Sequence, residues 1–383
     1  MRIDKVRVGI IGVGGMGIGH CKSCQEVEEV ELAAVADMSE ARAKEAGEQF
    51  GVPSFGSHED LIGSGLADAI IIATPHYMHP PIAIDAFDGG LHVLSEKPIA
   101  VRIGMAEKMV EAAKRNGKVF AVMFQMRTTG AVKKAIEMVK SGQVGELKRT
   151  LLISPEFRSQ AYYDSGTWRA TWGGEGGGVL LNQAPHIMDV FAELGGMPAK
   201  VRGRCATLMH EIEVEDHAEA MLEYPNGAAG YFYVSTCEVG PRVLEVVGDA
   251  GKLQLQGGKL SFWRFEPPID EFNRTNTEMW GSPKTEQVDL DVEECENGHK
   301  VVLRNFARAI LYDEPLLSPG EAGLKSLELA NAIILSSHKD EPVQLPIDRG
   351  EYDELIRSLC AASSFKGDWA ETSTETDPAF KKK

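Results

Sequence analysis

Val6-Arg7-Val8-Gly9-Ile10-Ile11-Gly12-Val13-Gly14-Gly15-Met16-Gly17 is the stretch whose reading decides the fold. Its first half is a short, nearly unbroken apolar run, the pattern of a strand buried on both faces. The second half fits G-x-G-x-x-G and stands where a strand hands over to a helix. The three glycines do different things there. Gly12 makes the turn, Gly14 lets backbone approach a pyrophosphate, and Gly17 lets the helix pack closely on the strand. Val13, Gly15 and Met16 complete the turn, and the helix N-terminus offers unpaired N–H groups and its positive dipole end to phosphate. Asp37 stands twenty residues beyond Gly17, at the end of the run Val30–Ala36. A carboxylate there accepts hydrogen bonds from both ribose hydroxyls and repels a 2′-phosphate, so the two signals together predict NAD as cofactor rather than NADP.

Outward from this stretch, further apolar runs at 69–73, 92–95 and 119–124 alternate with helical spacing, as at 41–50 and 106–115. Strands separated by helices imply a parallel sheet covered on both faces, so the first part is expected to be an α/β doubly wound Rossmann domain. After Gly145 the grammar changes. The runs 200–208, 218–224 and 230–236 read as strands, the last two joined by Pro225-Asn226-Gly227, a hairpin turn. Turns at Gly248-Asp249-Ala250-Gly251 and Gly257-Gly258 continue the meander, and helical patterns follow at 299–311 and 322–338. The expected organisation is a dinucleotide-binding domain over 1–126, an α+β domain with a large, mainly antiparallel open sheet over 127–347, and a C-terminal extension over 348–383. From Gly367 that extension is polar, ends in three lysines and reads as a tail.

Composition narrows the function. The chain has 383 residues, 43% of them hydrophobic and 25% charged, which suits two globular domains. A formal charge of −17 argues against nucleic acid or an anionic membrane surface as partner. No run is long enough to span a bilayer, and the apolar start around Val6 carries phosphate-binding glycines rather than a signal peptide's pattern. Six scattered cysteines make no disulfide framework and suit the cytoplasm. Cys21 and Cys24 form a C-x-x-C inside the predicted first helix, with no second pair to complete a zinc site, so no metal is expected.

Two short motifs end strands at the edge where open α/β sheets bind ligands: Thr74-Pro75-His76 and Glu96-Lys97-Pro98. A lysine at such a strand end points into the cofactor crevice. Farther on, Gly176-Gly177-Gly178 precedes a helical pattern in which Leu180, Ala184, Ile187, Phe191 and Leu194 give a buried face. Asn182, His186 and Asp189 share another face of that predicted helix. Tyr162, Tyr163, Trp168 and Trp172 cluster with Arg158, Asp164 and Arg169, a composition suited to stacking on sugar rings and bonding their hydroxyls. Arg127, just past the domain junction, is a candidate for the same cleft.

On these residues the chain resembles the glucose-fructose oxidoreductase, inositol dehydrogenase and MocA superfamily from about Lys5 to about Ile347, with Glu96-Lys97-Pro98 and the Gly176 to His186 segment as its specific part. The resemblance implies an NAD-dependent dehydrogenase acting on a secondary hydroxyl, or the ketone, of a sugar, glycoside or cyclitol. It implies Lys97 and His186 as the catalytic pair, and Thr74, Pro75, His79, Glu96, Lys97, Gln125, Trp168 and Arg169 along the cofactor. Substrate contacts are expected from Lys97, Arg127, Tyr163, Trp172, Asn182 and His186. Asn182 departs from the family's usual Asp, and Ala184 from its usual Gly, which leaves open whether Lys97 or His186 is the base. The resemblance further implies a homodimer or homotetramer joined through the outer face of the large sheet. An alternative within the same chemistry is a glycoside hydrolase or lyase that retains NAD and oxidises its substrate transiently.

Overall fold

The computed structural model describes residues 5–365 and 367. Six strands form the first sheet: β1 (Val6–Ile11), β2 (Val30–Ala36), β3 (Ser54–Phe55), β4 (Ala69–Ile72), β5 (His92–Ser95) and β6 (Phe120–Val122). They lie in the order β3-β2-β1-β4-β5-β6, every neighbouring pair parallel. The order reverses at β1, so the carboxyl ends of β1 and β4 flank the switch point where such sheets take ligands. β3 is only two residues long and carried no apolar run that periodicity could detect.

The second sheet has nine strands: β7 (Leu147–Pro155), β8 (Lys200–Ala206), β9 (His217–Glu223), β10 (Ala229–Ser235), β11 (Val243–Gly248), β12 (Gly251–Gln256), β13 (Lys259–Glu266), β14 (Lys284–Val288) and β15 (Val343–Gln344). Their order is β14-β13-β12-β11-β7-β10-β9-β8-β15. Only β7 and β10 pair in parallel; the other neighbours are antiparallel, with the 225–227 turn closing the β9–β10 hairpin.

The helix Gly320–Lys339 packs against β8, the helix Pro185–Gly195 and the helix Ile103–Arg115, and buries most of its length. One apolar core accordingly runs from Ile11, Ile70 and Ile72 of the first sheet to Leu152 and Phe232 of the second. A junction this apolar behaves as interior rather than as a sliding domain contact. The helix His299–Tyr312, which sequence order placed with the second domain, instead seats Val302, Leu303 and Phe306 on β1 residues Val6, Val8 and Ile10. The chain returns to the first sheet again where Val122 and Ser318 exchange hydrogen bonds.

The described part of the C-terminal extension begins with a helix. Arg349–Ala362 is a helix capped by the Asp348 side chain, with Tyr352 fully buried. The expected polar tail lies outside the described residues apart from Gly367. Asn331, fully buried in the Gly320–Lys339 helix, ties this extension to the first domain. Its Oδ1 accepts the Ile103 N–H (2.9 Å), and its Nδ2 donates to the Val101 carbonyl (3.0 Å) and the Tyr352 hydroxyl (2.9 Å).

The glycine segment 176–178 is held from beneath by Glu215. Its Oε1 accepts the N–H groups of Gly178 (2.9 Å) and Leu180 (3.1 Å), while Oε2 has no protein partner. Burial pushes this carboxyl up to about 7 against the pull of those amides.

Asn331→Ala leaves three buried polar groups without their partner, and is expected to cost about 2–4 kcal/mol in chemical denaturation; a loss under about 0.5 kcal/mol would show the tie to be dispensable. For Glu215, the native carboxyl holds its proton up to a higher pH than the unfolded chain does. Its contribution to stability is therefore greatest at acid pH and is lost as pH rises through the window that ends near 7. Glu215→Gln keeps the two amide contacts and removes the charge. Melting temperatures from about pH 5 to 8 are expected to fall less steeply for this variant than for the wild type, and parallel curves would contradict the account.

Candidate active site

β1 ends in a turn that only glycine can make. Gly12 has a φ of +89°, and a Cβ there would lie 2.7 Å from the Ala73 carbonyl oxygen. At Gly17 a Cβ would sit 1.8 Å from the Gly12 oxygen, so the first helical turn packs directly on the strand end. Gly14, by contrast, faces open space at the N-terminus of the helix Gly15–Glu26. Val13 lies in the same turn, and Gly15 and Met16 open the helix.

Asp37 follows β2 and is already engaged. Its Oδ2 accepts the Val13 N–H (3.0 Å), and its Oδ1 accepts the Ser39 N–H (2.9 Å) and the Arg42 guanidinium (3.2 Å). Carboxylate oxygens have two acceptor sites each, so capacity for ribose hydroxyls remains. Arg42, which the spacing rule had not singled out, puts a cation beside that carboxylate.

At the ends of β4, β5 and β6 the residues divide into those that line the crevice and those that support it. Thr74 Oγ1 and Gln125 Oε1 are buried and lack protein partners. His79 is a supporting residue: fully buried, its ring nitrogens lie 2.8 Å from the Pro98 oxygen and 2.9 Å from the Thr74 oxygen, joining the two strand-end loops. Its expected place along a cofactor is thus taken by backbone, and Pro75 starts the short turn leading to it. Glu96 also stands behind the crevice. Its Oε1 meets His20 Nε2 at 2.7 Å and its Oε2 accepts the Lys97 N–H at 3.1 Å. Burial alone would raise this carboxyl, yet the His20 contact, with His299 and Lys97 nearby, brings it down to about 2.

Lys97 reaches across to the second half of the chain, where its Nζ donates to the Asn182 carbonyl at 3.0 Å. His186 stands at the start of the helix Pro185–Gly195, its ring edge-on to Phe124 at 6.2 Å, with Nδ1 buried and unpartnered. Burial, and next the charge of Lys97, push its pKa well below the ordinary histidine value. Lys97 and His186 are therefore electrostatic neighbours, and the imidazole is held neutral.

Four expectations around this site need correction. The helix starts at Pro185, so Asn182 precedes it in a turn and shares no helical face with His186 and Asp189. Arg127 does not face a cleft: its guanidinium grips Asp189 bidentately (2.6 and 2.8 Å) and also reaches Glu193 and the Leu317 carbonyl. A buried guanidinium finds its carboxylate wherever one is in reach, and sequence distance hides the pair. Tyr163 is buried beside Ala170 and Val214 with its hydroxyl on Thr236 (2.7 Å), and Trp172 packs edge-on to His338, its carbonyl bonded by Tyr77. Both are engaged in packing and hydrogen bonds within the protein.

Tyr162, not its neighbour, is the tyrosine bonded to Asn182. Its hydroxyl receives Arg169 Nη1 (2.7 Å) and Gln183 Nε2 (3.2 Å) and donates to Asn182 Oδ1 (3.4 Å), while Arg169 lies over both the Tyr162 and Trp168 rings. Trp168 meets His76 edge-on, and His76 Nδ1 bonds the Glu175 carbonyl at 2.9 Å. Glu175 itself was not anticipated; its one signal is an acidic residue opening the glycine segment.

Buried polar atoms in folded proteins almost always have partners. Thr74 Oγ1, Gln125 Oε1 and His186 Nδ1 do not, and open space lies at Gly14, so these residues fit a dinucleotide with its substrate. Comparison with known proteins bears on the same point. A family model for an oxidoreductase family with an NAD-binding Rossmann fold matches residues 6–124, and one for the GFO/IDH/MocA C-terminal domain matches residues 132–254. The chain is 28% identical over 227 residues to trans-1,2-dihydrobenzene-1,2-diol dehydrogenase of Mus musculus, a match covering 59% of this chain and 66% of that protein. It is 23% identical over 348 residues to myo-inositol 2-dehydrogenase of Thermotoga maritima, covering 89% and 98%. The crystal structure of the WlbA dehydrogenase from Bordetella pertussis, in complex with NADH and UDP-GlcNAcA, superposes with a TM-score of 0.76 at 27% identity over 90% of this chain and all of that one. With a glycine turn for the dinucleotide, a lysine ending β5 and both domain models matched in order, the chain belongs to the NAD-binding Gfo/Idh/MocA oxidoreductase family.

Proposed function

We propose that the protein is an NAD-dependent dehydrogenase that moves a hydride between the cofactor and a secondary hydroxyl, or the corresponding ketone, of a sugar, glycoside or cyclitol. The observation that carries this reading is the juxtaposition of Lys97 with a buried, neutral His186 whose Nδ1 has no protein partner. NAD, when bound, supplies the hydride acceptor. Oxidising a carbinol also requires a group to take the hydroxyl proton and a charge to steady the oxygen as that proton leaves. His186 takes the proton, because an imidazole kept neutral is a competent acceptor across neutral pH. Lys97 steadies the oxygen: one N–H is committed to the Asn182 carbonyl, which leaves ammonium donors for the substrate. In reduction His186 returns the proton while Lys97 steadies the same oxygen. Trp168, Tyr162 and Arg169 border this point with aromatic faces and fixed donors, a lining that suits a polyhydroxylated ring.

Asp37 favours NAD over NADP, since a 2′-phosphate would meet a carboxylate already holding the Val13 and Ser39 amides. Ile153, Met221 and Tyr231 expose apolar area on neighbouring strands of the large sheet, which supports assembly as a homodimer or homotetramer through that surface. The unpaired cysteines suit a reducing compartment such as the cytoplasm.

A panel of hexoses, glycosides, uronates and inositols, followed by absorbance of the reduced cofactor, tests the reading. Net NADH formation with at least one member is expected; glycoside cleavage without net NADH would mark the hydrolase alternative instead. On the same panel NAD is expected to outperform NADP in kcat/KM, and the reverse preference would remove the role given to Asp37. Lys97→Met and His186→Ala are each expected to lower kcat by roughly 10²–10⁴-fold, with NADH affinity by fluorescence little changed. Either variant keeping most of the wild-type kcat would refute its assignment.

A further inference from the structure

The chemistry proposed above uses Lys97 and His186 and leaves a third ionisable group beside them unexplained. Glu175 is only 1% exposed, yet it sits in no ordinary surface ion pair. Its Oε2 accepts the Ala170 N–H at 2.6 Å, an amide presented by a residue with φ of +57°. The Oε1 atom accepts the Asn182 side-chain N–H, and Arg169 Nη1 stands 3.7 Å from that same oxygen. Burial raises the Glu175 carboxyl above its ordinary value, and Arg169, Ala170, Asn182 and Lys97 pull it back only in part. An anion this buried persists only if it is fully bonded and faces cations.

Asn182 is the piece between this anion and Lys97. Its amide donates to Glu175, its Oδ1 receives the Tyr162 hydroxyl, and its main-chain carbonyl receives the Lys97 ammonium. An asparagine left to itself turns its amide freely; here both ends are committed, so the carbonyl that holds Lys97 is fixed as well. Position 182 carries no charge of its own, whereas the carboxylate touching it does.

We propose that Glu175 is a positioning residue of the active site: through the Asn182 amide it fixes the segment that holds Lys97, and its carboxylate supplies the anion that position 182 lacks. The proposal rests on the reading of Lys97 as the substrate-facing cation. Around Glu175 the charged and titratable groups are Arg169, Lys97, Tyr162, Tyr163 and Glu215, with His76 on its carbonyl. Lys97 also faces Glu96, His76, His79 and His186. Glu96 is committed to His20 and to the Lys97 N–H, and so acts on the main chain of the lysine. Glu175 is the carboxylate bonded to the residue whose carbonyl receives the ammonium.

An amide–carboxylate contact can be reversed without changing its shape, and that gives the test. Glu175→Gln preserves size and, through its one oxygen, the Ala170 N–H contact, but removes the charge and the acceptor for the Asn182 amide. The double variant Glu175→Gln/Asn182→Asp returns one carboxylate to the same contact from the other side. For the single variant we expect kcat to fall about 10–100-fold, the alkaline limb of kcat/KM to move to lower pH because the site's cations have lost an anion, and the melting temperature and NADH affinity to stay near wild type. The double variant is expected to recover kcat to within about fivefold of wild type and to restore the limb. A readout that needs no substrate accompanies these: acetylation of Lys97 by acetic anhydride at fixed pH, followed by peptide mass spectrometry. Labelling is expected to be roughly 3–10-fold faster in Glu175→Gln and to return to the wild-type rate in the double variant. Unchanged labelling in the single variant, or a double variant no different from the single, overturns the role of Glu175. A wild type inactive on every substrate of the panel refutes the proposed function instead, and the labelling result still decides the role of Glu175.

Discussion

Lys97 Nζ donates to the Asn182 carbonyl across 85 residues of sequence, and most of the site depends on that one contact. It joins the carboxyl edge of a parallel sheet to a loop that belongs to the antiparallel half of the molecule. Everything around it either places the lysine or places the carbonyl. On the lysine's side, β5 ends at Ser95, Glu96 accepts the Lys97 N–H, and His79 ties the Pro98 and Thr74 carbonyls together. On the other side, Glu215 grips the Gly178 and Leu180 amides while Glu175 grips the side chain of Asn182.

The electrostatics of this junction follow from burial. Three carboxylates, Glu96, Glu175 and Glu215, lie almost wholly out of water, and each has a different local remedy. Histidine neighbours and Lys97 keep Glu96 ionised; at Glu175 Arg169 and two N–H donors offset burial only in part, so its carboxyl stays above the ordinary value; Glu215 has amides on one oxygen only and rises towards neutrality. The same burial works in the opposite sense on His186, disfavouring its cation, with Lys97 adding to the effect. A neutral imidazole next to a cationic amine is thus a consequence of where the two halves of the chain meet. The continuous apolar core beneath them holds that meeting point rigid, since neither sheet can shift without exposing the residues around the Gly320–Lys339 helix.

Residues assigned by composition were prominent among those the structure moved. Arg127, Tyr163 and Trp172 have the chemistry of a sugar site, and each is instead engaged in support: with Asp189, with Thr236, and against His338. Tyr162 and Tyr163 are adjacent in sequence, and only the phase of the short helix Gln160–Tyr163 decides which one turns to Asn182. Glu175 and Arg42 were overlooked because an acidic residue before a glycine run and a basic residue in a surface helix are ordinary features of a sequence. Their meaning lies entirely in what stands beside them.

The amino-acid sequence by itself determined the parallel sheet, the phosphate-binding turn, Asp37 at the end of β2, the β9–β10 hairpin and the strand-end lysine. All of these are written in short-range periodicity or in backbone conformations that only certain residues adopt, such as the positive φ of Gly12. Tertiary structure alone decided that the helix His299–Tyr312 returns to cover β1, that residues 349–362 are pinned by Asn331, and that Lys97, Asn182, Glu175 and His186 share one small volume. The physical reason is that burial, ion pairing and hydrogen-bond satisfaction are set by neighbours far apart along the chain. No local pattern records which buried charge will meet which partner.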